Sequence, residues 1–209
     1  MSFDLWLTFV AASTALLLIP GPTVLLVLSY ALSQGRTVAV ATATGVALGD
    51  LVAMTASLAG LGALVLASAT AFIVLKWLGA AYLVWLGIRL IRSAGGATLT
   101  ALPETHRIAP ARVFGHAAAV TALNPKSIAF FIAFVPQFLR PEAPFLPQFS
   151  VLIATFVGLA ALNVLAYALL ADQLRARLTQ PGIVAWLTRA GGGTLIAMGV
   201  LTATLRRAA

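Results

Sequence analysis

Two ionisable side chains, Asp50 and Lys126, stand near the middle of long apolar runs. At the centre of a membrane helix an acid or base costs about 2.5–3.5 kcal/mol on insertion scales, so each needs a partner or water. Two proline-centred interruptions occupy comparable places, Ile19-Pro20-Gly21-Pro22-Thr23 in the first run and Asn124-Pro125-Lys126 in the fourth. Proline has no backbone N–H, so each interruption leaves helical carbonyls without donors. In hydrocarbon such a break survives only where protein or a water-filled cavity takes up the freed groups. One carboxylate, one ammonium and two broken helices are what a site for a small zwitterion needs. Asp50 or freed carbonyls would hold the ammonium of the solute. Lys126 or amides at a helix end would hold its carboxylate, favoured by the helix dipole. A proton competing for Asp50 would exchange for the bound cation. The same residues also fit a static salt bridge between two halves, with proline kinks on either side.

Other chemistries find less to work with. The chain has no cysteine, which excludes disulfides and thiolate metal sites. A metal-cation exporter on a related scaffold needs clustered carboxylates, histidines or thiolates, and the apolar interior offers one aspartate. An intramembrane enzyme needs a base beside a nucleophile, or a ligand triad. His116 lies near a helix start with no acid close by, and His106 is ten residues earlier near a loop. No enzyme, no cofactor and no resident metal is expected. A passive assembly protein would leave the paired breaks and buried charges unexplained. No nucleotide-binding motif appears, so energy from ATP would require a partner.

The elements that carry these residues are membrane helices. Of 209 residues 61% are hydrophobic and 9% charged, against about 25% charged in a soluble domain; mean hydropathy is +1.04. The formal charge of +8 comes from basic residues set between apolar runs rather than in a patch with interleaved aromatics. That pattern favours lipid headgroups and topology over nucleic acid. The stretch from Leu5 to Leu32 carries no charge, begins after Asp4 without Lys or Arg, and is too long for a signal-peptide core, so it reads as the first membrane helix. Further runs cover about 38–66, 71–91, 112–139, 149–170 and 183–205. In the second, small residues recur at Ala41, Gly45, Gly49, Ala53 and Ser57, a stripe that lets another helix approach closely. Asp50 borders that stripe and should face packed protein. Lys76, near the start of the third run, can snorkel to the interface. Phe130, Phe131, Phe134 and Phe138 are expected to reach the far interface. The glycine stripes serve equally within one subunit or between subunits, leaving a homo-oligomer open.

The fold class predicted is therefore all-α, a polytopic membrane protein with six transmembrane helices. Arg92 to Pro110 is the one long polar connector, and it divides the chain into residues 1–92, a connector 93–111, and residues 112–209. Three helices per half place the halves in opposite orientation, as two inverted repeats each opening with a proline-broken helix. Matching breaks in inverted halves are the best sequence pointer to a transporter site. Arg36, Arg89, Arg92, Arg107, Arg112, Arg175, Arg177 and Arg189 gather on one face, and Arg140, Arg206 and Arg207 on the other. The richer face should be cytoplasmic, with both termini outside and the connector inside.

These residues resemble a known family. Pro20-Gly21-Pro22, Gly45-Val46-Ala47-Leu48-Gly49-Asp50, and Lys76-Trp77-Leu78-Gly79-Ala80-Ala81-Tyr82-Leu83 with Gly87 look like the lysine-exporter family, its homoserine/threonine-exporter branch above all. Asn124-Pro125-Lys126, Pro136-Gln137-Phe138 and the run Gly191-Gly192-Gly193 match its second half, so the resemblance spans essentially the whole chain. It implies a six-helix exporter of amino acids or their derivatives in the bacterial inner membrane, driven by proton exchange. Carried over position by position, Pro20, Gly21, Pro22, Asp50, Asn124, Pro125 and Lys126 are the substrate-binding positions, with Gly49 beside Asp50, and Asp50 also couples the proton. Its partners would be the amino acid, protons and the bilayer.

Overall fold

A computed structural model describes residues 2–18, 22–34, 38–94, 108–140, 143–170 and 181–204. Every regular element among them is helical: α1 (Phe3–Leu18), α2 (Pro22–Gln34), α3 (Ala39–Ala67), α4 (Ala69–Ser93), α5 (Pro110–Ala122), α6 (Pro125–Ala133), a 3-10 turn (Val135–Phe138), α7 (Phe145–Leu169) and α8 (Pro181–Thr204). Three helical stretches, Ala39–Ala63, Ile73–Ser93 and Phe145–Leu169, are long and apolar enough to cross a bilayer. Two bent pairs raise the candidate spans to five: Phe3–Leu18 with Thr23–Ala31, at 58°, and Pro110–Ala122 with Pro125–Phe138, at 45°. Both bends fall at the prolines where breaks were expected. Pro20 and Gly21 themselves lie outside the described residues, as do Arg36, residues 95–107 of the connector with His106 and Arg107, and Asp172, Arg175, Arg177, Arg206 and Arg207. The side chain of Lys76 is likewise outside the description.

Small residues set the helix pairs. α3 packs on α5 and α7, and α4 packs on α8. A Cβ on Gly45 would stand 2.5 Å from the Phe114 carbonyl oxygen, and one on Gly49 would stand 2.6 Å from that of Ala118. The stripe on α3 is therefore where α5 comes closest, as its spacing predicts. α4 and α8 run antiparallel and meet at Gly87 and Gly192, each the nearest obstacle to a side chain on the other.

The largest core cluster is aromatic. Phe9, Phe130, Phe131, Phe134, Phe138 and Phe156 are all buried together with Leu16 and Met54. Edge contacts join Phe9 to Phe138 at 5.2 Å and Phe131 to Phe156 at 4.8 Å between ring centres. This corrects the expectation that the phenylalanines of the fourth run lie at the interface. α6 stops at Ala133 and the chain tightens into a 3-10 turn containing Pro136, which folds the aromatic segment back onto α1 and α7. Lipid-facing aromatics come instead from α4 and α8, where Trp77, Trp85 and Trp186 are exposed. Arg89 and Arg92 near the end of α4 and Arg112 at the start of α5 mark the connector end of the bundle, and the Arg89 guanidinium lies 5.3 Å from the Trp85 ring centre. Arg140 sits at the opposite end, between the 3-10 turn and α7.

Replacing Gly87 with Ala places the new methyl against the Gly192 carbonyl and should cost about 1–3 kcal/mol, the usual range for overpacking. Gly158→Ala, where nothing lies within 4 Å, should be neutral. Thermal unfolding of the two variants in one detergent checks the difference.

Candidate functional site

In an unbroken α-helix the N–H of residue 20 would serve the carbonyl of Leu16, and that of residue 22 the carbonyl of Leu18. Both positions are proline, so neither carbonyl can have its helical donor. The second half of the chain provides substitutes. Lys126 Nζ donates to the Leu16 oxygen at 3.1 Å, Asn163 Nδ2 to that of Leu17 at 3.2 Å, and Tyr167 OH to that of Leu18 at 3.4 Å. Three successive carbonyls at the end of α1 are thus met by one side chain of α6 and two of α7. Asn163 and Tyr167 stand four residues apart, on one face of α7 in its second half.

The second break is built differently. Asn124 caps α6: its Oδ1 accepts from the Lys126 backbone N–H at 3.0 Å, and Pro125 occupies the first helical position, where no N–H is needed. The Asn124 amide also donates to Thr23 Oγ1 at 3.1 Å, and Thr23 Oγ1 lies 3.4 Å from Thr121 Oγ1. Thr23 opens the second half of one broken helix; Thr121 closes the first half of the other. The two breaks are therefore tied directly to one another.

A cavity of about 30 Å³ lies at this crossing. It has room for a water or two and none for an amino acid. Asp50, Asn124, Lys126, Thr23, Ser127 and Asn163 line its polar side, and Leu16, Leu17, Val24, Val46, Ala160 and Val164 the remainder. Asp50 is 2% exposed, which fits its expected place against packed protein. Asp50 and Lys126 act on one another electrostatically. The carboxyl and the ammonium, predicted from separate runs, share one cavity.

Of the other residues singled out in the sequence, Gly49 packs against α5 beside Asp50 and does not line the cavity. Pro125 starts α6 and turns outward. Pro22 is the first residue of α2. His116 is remote from the cavity, with Nδ1 2.8 Å from Tyr30 OH. Among the described residues no three His, Asp or Glu cluster as a metal site would require. Thr23, Thr121, Ser127, Asn163 and Tyr167 gave less sign of a role. The i, i+4 polar pair of α7 is the signal that could have flagged two of them, since its side chains share a face and no other polar side chain occurs between Phe156 and Leu169.

The sequence is similar to those of known proteins. The sequence pattern described as LysE type translocator matches residues 14–206. A homoserine/homoserine lactone efflux protein of Salmonella typhimurium is 36% identical over 208 residues, covering 100% of both chains. An uncharacterized membrane protein of Vibrio cholerae is 35% identical over 206 residues, covering 99% of this chain and 100% of its own length. A leucine efflux protein of Salmonella typhimurium is 29% identical over 166 residues, covering 78% of this chain and 76% of its own. No solved structure matches the chain.

Replacing Asn163 with Leu would strand the Leu17 carbonyl. An unsatisfied buried acceptor costs about 1–3 kcal/mol, so the variant should melt earlier by that measure. Asn163→Gln keeps a donor and should recover part of the loss in the same melting experiment.

Proposed function

The chain belongs to the LysE type translocator family, and we propose that within it this protein is a secondary exporter of amino acids or amino-acid derivatives, exchanged for protons. Members of the family are translocators rather than enzymes. Amino-acid efflux in relatives that align over most or all of the chain supports the solute class. The observation that carries the reading is the contact between Lys126 Nζ and the Leu16 carbonyl.

That contact pairs a cation with the negative end of one half-helix, at the start of another half-helix whose dipole is positive. A zwitterion can replace it on both sides. Its carboxylate takes the Lys126 ammonium and the N-terminal end of α6. Its ammonium takes Asp50 and the carbonyl that Lys126 releases. The exchange leaves no buried charge unpaired, the condition a low-dielectric site imposes. A proton arriving at Asp50 removes the partner of the solute ammonium and favours release; loss of that proton restores the site. Because the cavity holds no more than a water or two, binding requires α1, α2, α5 and α6 to part, as alternating access demands.

We read the two bent pairs together with α3, α4, α7 and α8 as six spans. Residues 1–92 and 112–209 then form two inverted three-helix units joined by the connector 93–111. Asp50, Asn124 and Lys126 remain the proposed binding positions, now with Thr23 and Asn163; Pro20, Gly21, Pro22 and Pro125 serve the site by breaking the two helices, and Gly49 by letting α5 approach Asp50. The bacterial inner membrane, termini outside and connector in the cytoplasm, is the placement the basic residues support.

Proteoliposomes loaded with a mixture of amino acids provide the test. An imposed pH gradient should accelerate the loss of one or a few species, and Asp50→Asn should remove that acceleration. Unchanged proton-driven export by Asp50→Asn would refute the coupling role, and loss of no amino acid by folded protein would refute the solute class.

A further inference from the structure

The cavity is flanked by two barriers of different construction. Toward the end opposite the connector stands the aromatic cluster of α1, α6 and α7, with Phe9, Phe130, Phe131, Phe138 and Phe156 packed ring to ring. Toward the connector end stand α2 and α5. Their shared surface is small, with Val27, Ala31 and Ala117 in one cluster and Tyr30 with Val113 in another.

Three polar contacts close that surface in antiparallel register. Thr23 Oγ1 and Thr121 Oγ1 meet at 3.4 Å beside the cavity. Tyr30 OH and His116 Nδ1 meet at 2.8 Å, roughly 10 Å farther along α2 at 1.5 Å per residue. Gln34 Oε1 accepts from the Ile108 N–H at 3.1 Å where α2 ends. Which atom donates in the middle contact depends on the imidazole tautomer. Tyr30 is 9% exposed, whereas His116 is exposed, so the pair spans the barrier from its interior to its surface.

We infer that the α2–α5 surface is the inner gate of the transport cycle and that the Tyr30–His116 hydrogen bond is its latch. Parting the aromatic cluster exposes large apolar rings and gains nothing from water. Parting α2 from α5 exposes few apolar atoms, and water can replace each of the three polar contacts. The bundle should therefore open first at the connector end. Neither residue touches the solute; both act by holding α2 and α5, and through them Thr23 and Asn124 at the cavity. That this end is the loading side rests on the exporter reading above, whereas the latch itself does not.

The absence of cysteine makes a direct test available. Val46→Cys places a single reporter thiol on the cavity lining, and Ser93→Cys in a separate sample identifies the connector face of oriented vesicles. A membrane-impermeant thiol reagent is added to one face at a time. Tyr30→Phe should make the reporter react roughly three- to tenfold faster from the connector face, the shift that one lost hydrogen bond makes in an opening equilibrium. The rate from the other face should not change. His116→Leu should repeat the effect without altering the buried ring, and His116→Gln, which keeps an acceptor, should restore the slow rate. Equal rates with and without the latch would overturn the inference, as would acceleration from both faces. Efflux by vesicles of the cysteine-free protein separates the two readings: a faster connector-face rate in the latch variants, with no amino-acid export by the unsubstituted protein, would leave the latch standing and sink the exporter.

Discussion

A helix that stops inside an apolar slab leaves its last carbonyls facing a medium with nothing to donate, and much else in this structure follows from how α1 meets that constraint. Pro20 and Pro22 delete two of the donors by covalent structure alone. Lys126, Asn163 and Tyr167 supply replacements from helices more than a hundred residues away. The break is therefore stable only when the second half of the chain is folded against it. A site at this place needs both halves, and each half needs the site.

The close helix contacts serve the same end. Asp50 reaches the cavity because Gly45 and Gly49 let α5 lie against α3 with backbone in near contact, and Thr121 in the last turn of α5 lies within reach of Thr23. Asn124 then closes the circuit, capping α6 with its oxygen and holding Thr23 with its nitrogen. Two charges that would be costly singly become tolerable as a coupled pair in a polar pocket.

What could be read from the sequence was what depends on local chemistry. Proline placement predicts both bends, since a missing N–H acts wherever it occurs. The spacing of Gly45, Gly49 and Ala53 predicts a contact face, because a helix repeats its surface every 3.6 residues. The burial of Asp50 follows from its position beside that face. Partner identity was not legible. Nothing in α7 alone says that Asn163 and Tyr167 reach carbonyls of α1, because that pairing is a property of the assembled bundle. The phenylalanines from 130 to 138 went astray for a related reason: an aromatic near a helix end fits an interface belt as well as a core. A 3-10 turn at Pro136 selects the core here.

The central claim is that the solute sits at the crossing of the two breaks and displaces Lys126 from the Leu16 carbonyl. Substrate protection tests it most directly. A Val164→Cys thiol lines the same cavity, and its reaction with a small reagent can be followed with and without the amino acid that the vesicles export. The account predicts that this amino acid slows the reaction in proportion to site occupancy, and that Lys126→Met abolishes the protection. Export that continues with no protection of the thiol, or protection unaffected by Lys126→Met, would place the binding site elsewhere.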